Sequence, residues 1–285
     1  MVRRARKSLT DLYPRSKDFL HLELRNVSFV IRKTRVLSDL SHTMELGQLC
    51  ALMGESGSGK STLLNVLSGR ASYGKVTGSV LLNQRRFEPS AVRLGFVPQE
   101  YLIFKELTVF ENLSYSACMR LDRTVSALER NQIVESALEL LGLLVCRDFV
   151  CDRNLTKQKL SGGQLRRVGI GVELVTLPLI ILLDEPTSAL DAVNTRLVIS
   201  ALKMLTTKGI LVMATIHQPR RSVYEMIDNL MVLRKGEFVL AGPRENALPF
   251  LEGHGFSAPV STNPADFFIE VAFGMVPSTA QPPVR

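Results

Sequence analysis

The chain has little of what a membrane span or a structural metal centre requires. No apolar stretch approaches the roughly 20 residues needed to cross a bilayer; the run Leu177–Leu183 is short and contains Pro178. There is no tryptophan, and only four histidines and four cysteines occur in 285 residues. Cys50, Cys118, Cys146 and Cys151 come without a recognisable signal peptide, so a reducing compartment is expected. Cys50 lies in an apolar run and should pack as a small hydrophobe. Cys146 and Cys151 lack histidines at metal-ligand spacing, which argues against zinc. No internal repeat or heptad run is present.

Charge of one sign is also scarce outside one segment. The formal net charge is +8, and residues 1–18 alone carry Arg3, Arg4, Arg6, Lys7, Arg15 and Lys17 against Asp11 and Asp18. That segment is expected to be a solvated, disordered tail, with a contact to an anionic membrane surface as the alternative. The remainder is too weakly basic to make nucleic acid a partner. Hydrophobic residues at 46% and charged residues at 22% are ordinary for a globular protein.

What is present is a run of α/β signals. Leu20–Val30 alternates loosely as a strand, and the short apolar strand Leu49–Met53 leads straight into Gly54-Glu55-Ser56-Gly57-Ser58-Gly59-Lys60-Ser61-Thr62. Lys60–Leu67 is expected to be helical, followed by strands at Val80–Leu82 and Leu94–Val97. From Thr108 to about Leu141 the pattern becomes helical, with Val134, Ala137, Leu138 and Leu141 on one face. Ile180–Leu183 and Ile210–Ala214 are buried-strand candidates joined by a helix from about Ala192 to Leu205. Strands alternating with helices imply a mostly parallel sheet, with residues 100–176 inserted as a mostly helical lobe. Pro277–Arg285, with three prolines, is expected to be disordered. The expected division is therefore a tail over 1–18, one domain over 19–275 and a second tail over 276–285.

Strand, glycine-rich loop and helix form the context in which G-x-x-x-x-G-K-S holds phosphate. Gly54 and Gly59 let the backbone curl so that its N–H groups face phosphate oxygens, and the following helix adds its positive end. Lys60 should reach the β- and γ-phosphates, and the Ser61 hydroxyl should ligate Mg²⁺. Asp184 and Glu185 end the Ile180–Leu183 strand. Asp184 suits Mg²⁺, directly or through water, and Glu185 is placed to orient and deprotonate an attacking water. Gln99, after Phe96-Val97-Pro98, could reach Mg²⁺ or that water, and His217 could hydrogen-bond a γ-phosphate. As isolated residues both have commoner structural explanations.

The order of these pieces changes that balance. Phosphate loop, Gln99, Leu160-Ser161-Gly162-Gly163-Gln164, Asp184-Glu185, Ser188-Ala189-Leu190-Asp191 and His217 follow one another as in ATP-binding-cassette (ABC) ATPases. The chain resembles that superfamily from about residue 20 to 272. Within it the chain is most similar to the G subfamily, the white/pleiotropic-drug-resistance type. That finer likeness rests on Arg167–Leu174, His217-Gln218-Pro219 and Asn263-Pro264-Ala265-Asp266-Phe267. The resemblance implies a P-loop core, an N-terminal antiparallel β subdomain and an inserted helical subdomain carrying the signature. It implies that Ser161, Gly162, Gly163 and Gln164 meet ATP held on a second ABC ATPase domain, identical or different, and that Asp191 touches that domain. Gln99 would sense Mg²⁺ and link the helical lobe to a membrane partner. His217 would contact the γ-phosphate, and Asp266 and Phe267 would lie beside the interface between ATPase domains. Asn263 would also cap a helix whose first residue is Pro264.

ATP hydrolysis driving export of a lipid, sterol or other small molecule is the activity so implied, at the cytoplasmic face of a membrane. The transmembrane domain is expected to be missing from this chain, which would not transport alone. Three departures stand out: Ala189 where the subfamily usually has glycine, from which little effect is expected, Lys159 before the signature, and no clear adenine-stacking aromatic, with Phe29 or Ile31 as candidates. A nucleotide-dependent switch without turnover is an alternative function. A DNA-repair ATPase of the same superfamily fits poorly, because the 99 residues between Ser61 and Ser161 leave no room for a long coiled coil.

Overall fold

A computed structural model describes residues 20–89, 93–100, 102–152, 159–259 and 262–278. The basic segment 1–18 lies outside them. The chain runs β1 (His21–Ile31), β2 (Thr34–Glu45), β3 (Leu49–Met53), α1 (Lys60–Leu67), β4 (Lys75–Leu82), β5 (Arg85–Arg86) and β6 (Leu94–Val97). Next come α2 (Val109–Arg120), α3 (Ala127–Leu140), a 3-10 turn at Leu144–Cys146 and α4 (Gly162–Leu174). The last part holds β7 (Ile180–Leu183), α5 (Ala192–Thr206), β8 (Leu211–Thr215), α6 (Arg221–Tyr224), β9 (Asn229–Arg234), β10 (Glu237–Pro243), α7 (Arg244–Gly253) and α8 (Pro264–Ala272).

The strands β3, β7 and β8 are unbroken apolar runs because both of their faces are covered. They lie inside a six-stranded sheet of order β10-β9-β3-β8-β7-β6, parallel throughout except for β10. Alternate residues enter two separate cores. Leu49, Ala51 and Met53 of β3, Ile181 and Leu183 of β7, and Val212 and Ala214 of β8 face the core shared with the helical lobe. Cys50, Leu52, Ile180, Leu182, Leu211 and Met213 face the opposite core, which α1 and the antiparallel sheet β2-β1-β4-β5 close. The expected α/β core, N-terminal antiparallel sheet and helical insertion are all present. β9 and β10, absent from the expectation, complete the main sheet, and β4 is longer than expected because its first residues are solvated.

The expected helical stretch from Thr108 to Leu141 is two helices. Asp122 Oδ1 accepts from the Thr124 N–H and hydroxyl, a turn that stops α2, and Ser126 restarts the chain as a capping box with Glu129. The stripe Val134, Ala137, Leu138 and Leu141 is buried, as its spacing required. Arg120 holds both carboxylate oxygens of Glu173 at 2.8 Å, tying α2 to α4. At the far end, Val276 packs on the core and the Ser278 hydroxyl donates to the His254 carbonyl, so the start of the expected C-terminal tail is seated. Residues 279–285 lie outside the described ones.

All four cysteines are free, and three are buried. Burial pushes the Cys50 and Cys146 thiols up, and Cys151 up to about 11, so none of the three offers a thiolate near neutrality. Ellman titration of the native protein at pH 8 should therefore show one fast thiol, Cys118, and all four after denaturation. Loss of the fast phase in Cys118→Ser checks the assignment.

Candidate active site

The site gathers at the C-terminal edge of the parallel sheet, where successive strands release their loops side by side. β3 opens into residues 54–59. Gly54 has φ 144° and Gly59 φ 109°, both in the region that side chains rarely adopt. A Cβ on Gly54 would stand 2.2 Å from the Leu233 carbonyl oxygen, so only glycine lets the loop close on β9. The turn between β9 and β10 completes the brace, since the Gly236 N–H donates to the Ser58 carbonyl and the Ser38 N–H to that of Gly236.

Inside this curl, Lys60 is buried and its Nζ donates to the Gly54 carbonyl at 2.9 Å and the Glu55 carbonyl at 2.7 Å. Two of its three N–H groups are thereby used. Burial lowers its pKa from the ordinary lysine value, while the Glu185, Asp184 and Glu55 carboxylates oppose that shift. The Ser58 hydroxyl is buried in the loop without a hydrogen-bond partner. Val36, Ser56, Gly57, Gly59, Lys60, Ser61 and Thr62 line a cavity of about 170 Å³ together with Glu185 and His217. A loop of N–H groups, a buried cation and an orphaned hydroxyl suit an anion such as a phosphate chain.

β7 delivers the carboxylates, and β8 holds them. Thr215 is fully buried, and its hydroxyl donates to Asp184 Oδ1 at 2.8 Å while accepting from the Glu185 N–H at 2.6 Å. Glu185 has φ 46°, a conformation that costs a non-glycine residue of order 1 kcal/mol and survives where neighbours enforce it. Its carboxylate is gripped at both oxygens. Gln99 Nε2 donates to Oε2 and His217 Nε2 meets Oε1, each at 2.8 Å. With a carboxylate as partner, Nε2 is the donor.

The structure thus brings together Lys60, Ser61, Thr62, Gln99, Asp184, Glu185 and His217. It does not bring the signature to them: none of Ser161, Gly162, Gly163 and Gln164 lines the 170 Å³ cavity. Ser161 caps α4, with its Oγ accepting from the Gln164 N–H and Gln164 Oε1 accepting from the Ser161 N–H. Asp191 caps α5 through the Asn194 N–H groups, which hold its carboxyl below the usual range. It lines a neighbouring groove of about 640 Å³ that also reaches His217 and Arg220.

Four expectations need revision. Phe29 is fully buried, edge-on to Tyr73, and is out of reach of a base; Val36 is the apolar side chain beside the loop. Phe267 is also buried, so it packs within this chain and not at a surface between domains. Asn263 does stand at the N-cap of α8 with Pro264 first, as expected, but its side chain makes no cap hydrogen bond and instead donates to the Pro219 carbonyl. Ala189 sits at φ 58°, so the missing glycine has a conformational cost where little effect was expected.

Sequence reasoning missed Thr215, Asn194 and Arg166. Arg166 is buried, and its guanidinium donates to the Pro98 and Gln99 carbonyls at 3.1 and 2.8 Å and to Ser188 Oγ at 3.4 Å. An Asn194 carboxamide fills the space where a side chain on Gly163 would stand. The signal for Arg166 was faint: a charged residue on the apolar side of a helix.

A family model described as ABC transporter matches residues 37–188, and one described as ABC-2 type transporter matches 217–284. The second span includes β9, β10, α7 and α8, which are part of the same folded body. Among the described residues no helix is long and apolar enough to cross a membrane. The chain is 39% identical over 260 residues to ABC transporter G family member 8 of Dictyostelium discoideum, covering 90% of this chain and 41% of that protein. It is 39% identical over 242 residues to Protein scarlet of Drosophila melanogaster, covering 84% and 36%. Against the broad substrate specificity ATP-binding cassette transporter ABCG2 of Rattus norvegicus it is 36% identical, covering 86% and 38%. The chain therefore spans about two fifths of the length of these curated relatives. Among solved structures, cbiO1 of Clostridium perfringens, part of the ABC transporter complex cbiONQ, superposes with a TM-score of 0.69 at 24% identity. That match covers 81% of this chain and 91% of cbiO1, and it speaks for the fold.

Replacing Thr215 by Val keeps its shape but strands the Glu185 N–H and loosens Asp184. Urea denaturation should show a loss of about 1–3 kcal/mol, which Thr215→Ser restores in large part.

Proposed function

The chain belongs to the ABC transporter family, with relatives in its G family, and from that premise we propose how this ATPase unit works and what it drives. The observation that carries the reading is the grip on Glu185: a carboxylate beside the phosphate loop with one oxygen held by Gln99 and the other by His217.

In this reading ATP lies along residues 54–62 with its terminal phosphates at Lys60. The third Lys60 N–H is available to those oxygens, and the Ser58 hydroxyl gains the partner it lacks. Ser61 and Asp184 would hold Mg²⁺, with Gln99 within the same loop cluster; the ion, when bound, offsets phosphate charge. Thr215 fixes Asp184 by one oxygen, and the other has no hydrogen bond among the described residues. Glu185 takes a proton from the attacking water as the water oxygen bonds to the γ-phosphorus and the bond to the bridging oxygen of ADP breaks. His217 now holds Glu185, and a γ-phosphate oxygen would compete for the same Nε2–H. Binding of ATP then frees one carboxylate oxygen for the water.

The signature stands apart from the loop of its own chain, which supports a head-to-tail pair in which Ser161–Gly163 meet the γ-phosphate on a second ABC ATPase domain. The capped start of α4 offers N–H groups and a positive helix end to that phosphate. Exposed apolar side chains follow Gln99: Phe104 stacks edge-to-face on Tyr115 of α2 at 5.1 Å, and Leu102 and Met119 are exposed on the same two segments. Such a patch suits a protein partner. We assign it to a transmembrane domain at the cytoplasmic face of a membrane, through which a small molecule, a lipid or sterol among the candidates, would be exported.

With Mg²⁺ and ATP, Glu185→Gln should lower turnover by about 10²- to 10⁴-fold and let ATP-bound dimers accumulate in sedimentation velocity. Ser161→Glu, facing a phosphate with a like charge, should abolish those dimers while each chain still binds ATP. Persistent hydrolysis without ATP-driven dimers in Glu185→Gln would overturn the assignment of the base.

A further inference from the structure

We infer that Asn263, on the C-terminal helix, is a positioning residue for His217. It acts through a hydrogen bond to the loop that carries the histidine. The inference rests on the reading of His217 as the group that exchanges Glu185 for the γ-phosphate.

His217 follows β8 on a short loop, His217–Arg220, before α6 begins. Packing does little to hold its ring, whose side chain is 45% exposed. The next residue, Gln218, has φ 38°, a left-handed conformation that persists where its surroundings impose it. Two backbone anchors flank the pair. Upstream, the Ile216 N–H donates to the Leu52 carbonyl at 3.1 Å, an extension of the sheet. Downstream, the Pro219 carbonyl accepts from Asn263 Nδ2 at 2.8 Å. The second anchor comes from an element 44 residues later in the chain.

Asn263 forgoes its ordinary role to make that contact. At a helix N-cap an asparagine accepts from the N–H two or three residues on, worth about 1 kcal/mol to the helix. Here no such bond forms. Instead the amide nitrogen uses both hydrogens, one on Pro219 and one on Asp266 Oδ2 at 3.2 Å, while Oδ1 is buried without a partner. A residue chosen for capping would show the reverse, with its oxygen satisfied first. α8 is a firm base for such a strut, since Ala265, Phe267 and Phe268 are buried and the Phe268 ring lies 5.9 Å from that of Tyr224 on α6. The side-chain amide therefore fixes the end of the His217 loop to a helix that is itself part of the core.

Serine is a good N-cap but too short to reach Pro219, so Asn263→Ser separates capping from bracing. It should stay folded, with kcat for MgATP down about tenfold and KM changed less than about twofold. In a His217→Ala background the same substitution should change kcat by less than about twofold, because the residue through which it acts is gone. Asn263→Asp, nearly isosteric and a strong cap, carries the same comparison and places a carboxylate against the Pro219 carbonyl. A readout free of turnover is the His217 ring signal in NMR spectra of the nucleotide-free protein, identified by its disappearance in His217→Ala. It should move in Asn263→Ser, with the other three histidines unchanged. Full activity with an unmoved His217 signal, an additive loss in the His217→Ala background, or failure of both Asn263 variants to fold would each overturn the inference. If the parent protein itself fails to hydrolyse ATP, the proposed function falls while the NMR comparison still decides the strut.

Discussion

The burial of one ammonium group organises this end of the molecule. Lys60 is enclosed by the loop it follows, and a buried cation must be hydrogen-bonded or surrounded by opposite charge. Both conditions are met: two carbonyls of its own loop accept its protons, and the Asp184 and Glu185 carboxylates stand near enough to raise its pKa against the effect of burial. The loop can offer those carbonyls only if it curls, and the curl needs glycine at 54, where a Cβ would strike the Leu233 carbonyl. Every later feature of the site is placed relative to that group.

Parallel strands then do the gathering. β3, β6, β7 and β8 all end at one edge, so the phosphate loop, Gln99, the Asp184-Glu185 pair and His217 emerge as neighbours although 163 positions separate Gly54 from His217. Neighbouring loops do not by themselves hold an unfavourable backbone. Glu185, Ala189 and Gln218 all have positive φ, and each lies in a loop fastened at its base by hydrogen bonds from another element. The Thr215 hydroxyl fastens Glu185, Arg166 reaches Ser188 beside Ala189, and Asn263 fastens Pro219 beside Gln218. At these three positions a left-handed backbone has a fastening side chain beside it.

Those pairs also explain what could be read in the chain beforehand. Residues that make their own case locally were legible: the glycine-rich loop before Lys60, the four apolar residues Ile180–Leu183 before an acidic pair, the buried stripe on α3. The α1, β6 and β7 boundaries follow from such local signals. Fasteners were not legible, because their meaning depends on a distant partner. Thr215 looks like the end of a β-strand, Arg166 like a stray charge on the apolar side of a helix, and Asn263 like an ordinary cap. Phe29 misled for the same reason: an aromatic upstream of the loop is buried in the core under the antiparallel sheet, with the half-exposed Tyr73 ring edge-on to it. β1 also carries bulges between Leu24 and Val30, which blur the alternation that would have shown which face of the sheet Phe29 takes.

The fasteners matter most for how a shared site would behave. Under the proposed pairing, the start of α4 faces a nucleotide on the other domain, yet α4 is not an independent arm. Arg166, one turn into that helix, binds the backbone carbonyl of Gln99, and the Gln99 side chain holds Glu185. On its other side the same guanidinium reaches Ser188, whose hydroxyl donates to the Glu185 carbonyl. Gly163, at the tip of α4, rests on Asn194, which holds Asp191. Under that pairing, the helix that would meet one nucleotide is joined to the carboxylate that would serve the other by two hydrogen-bonded paths of two bonds each. The paths converge on Glu185 from its side chain and from its backbone.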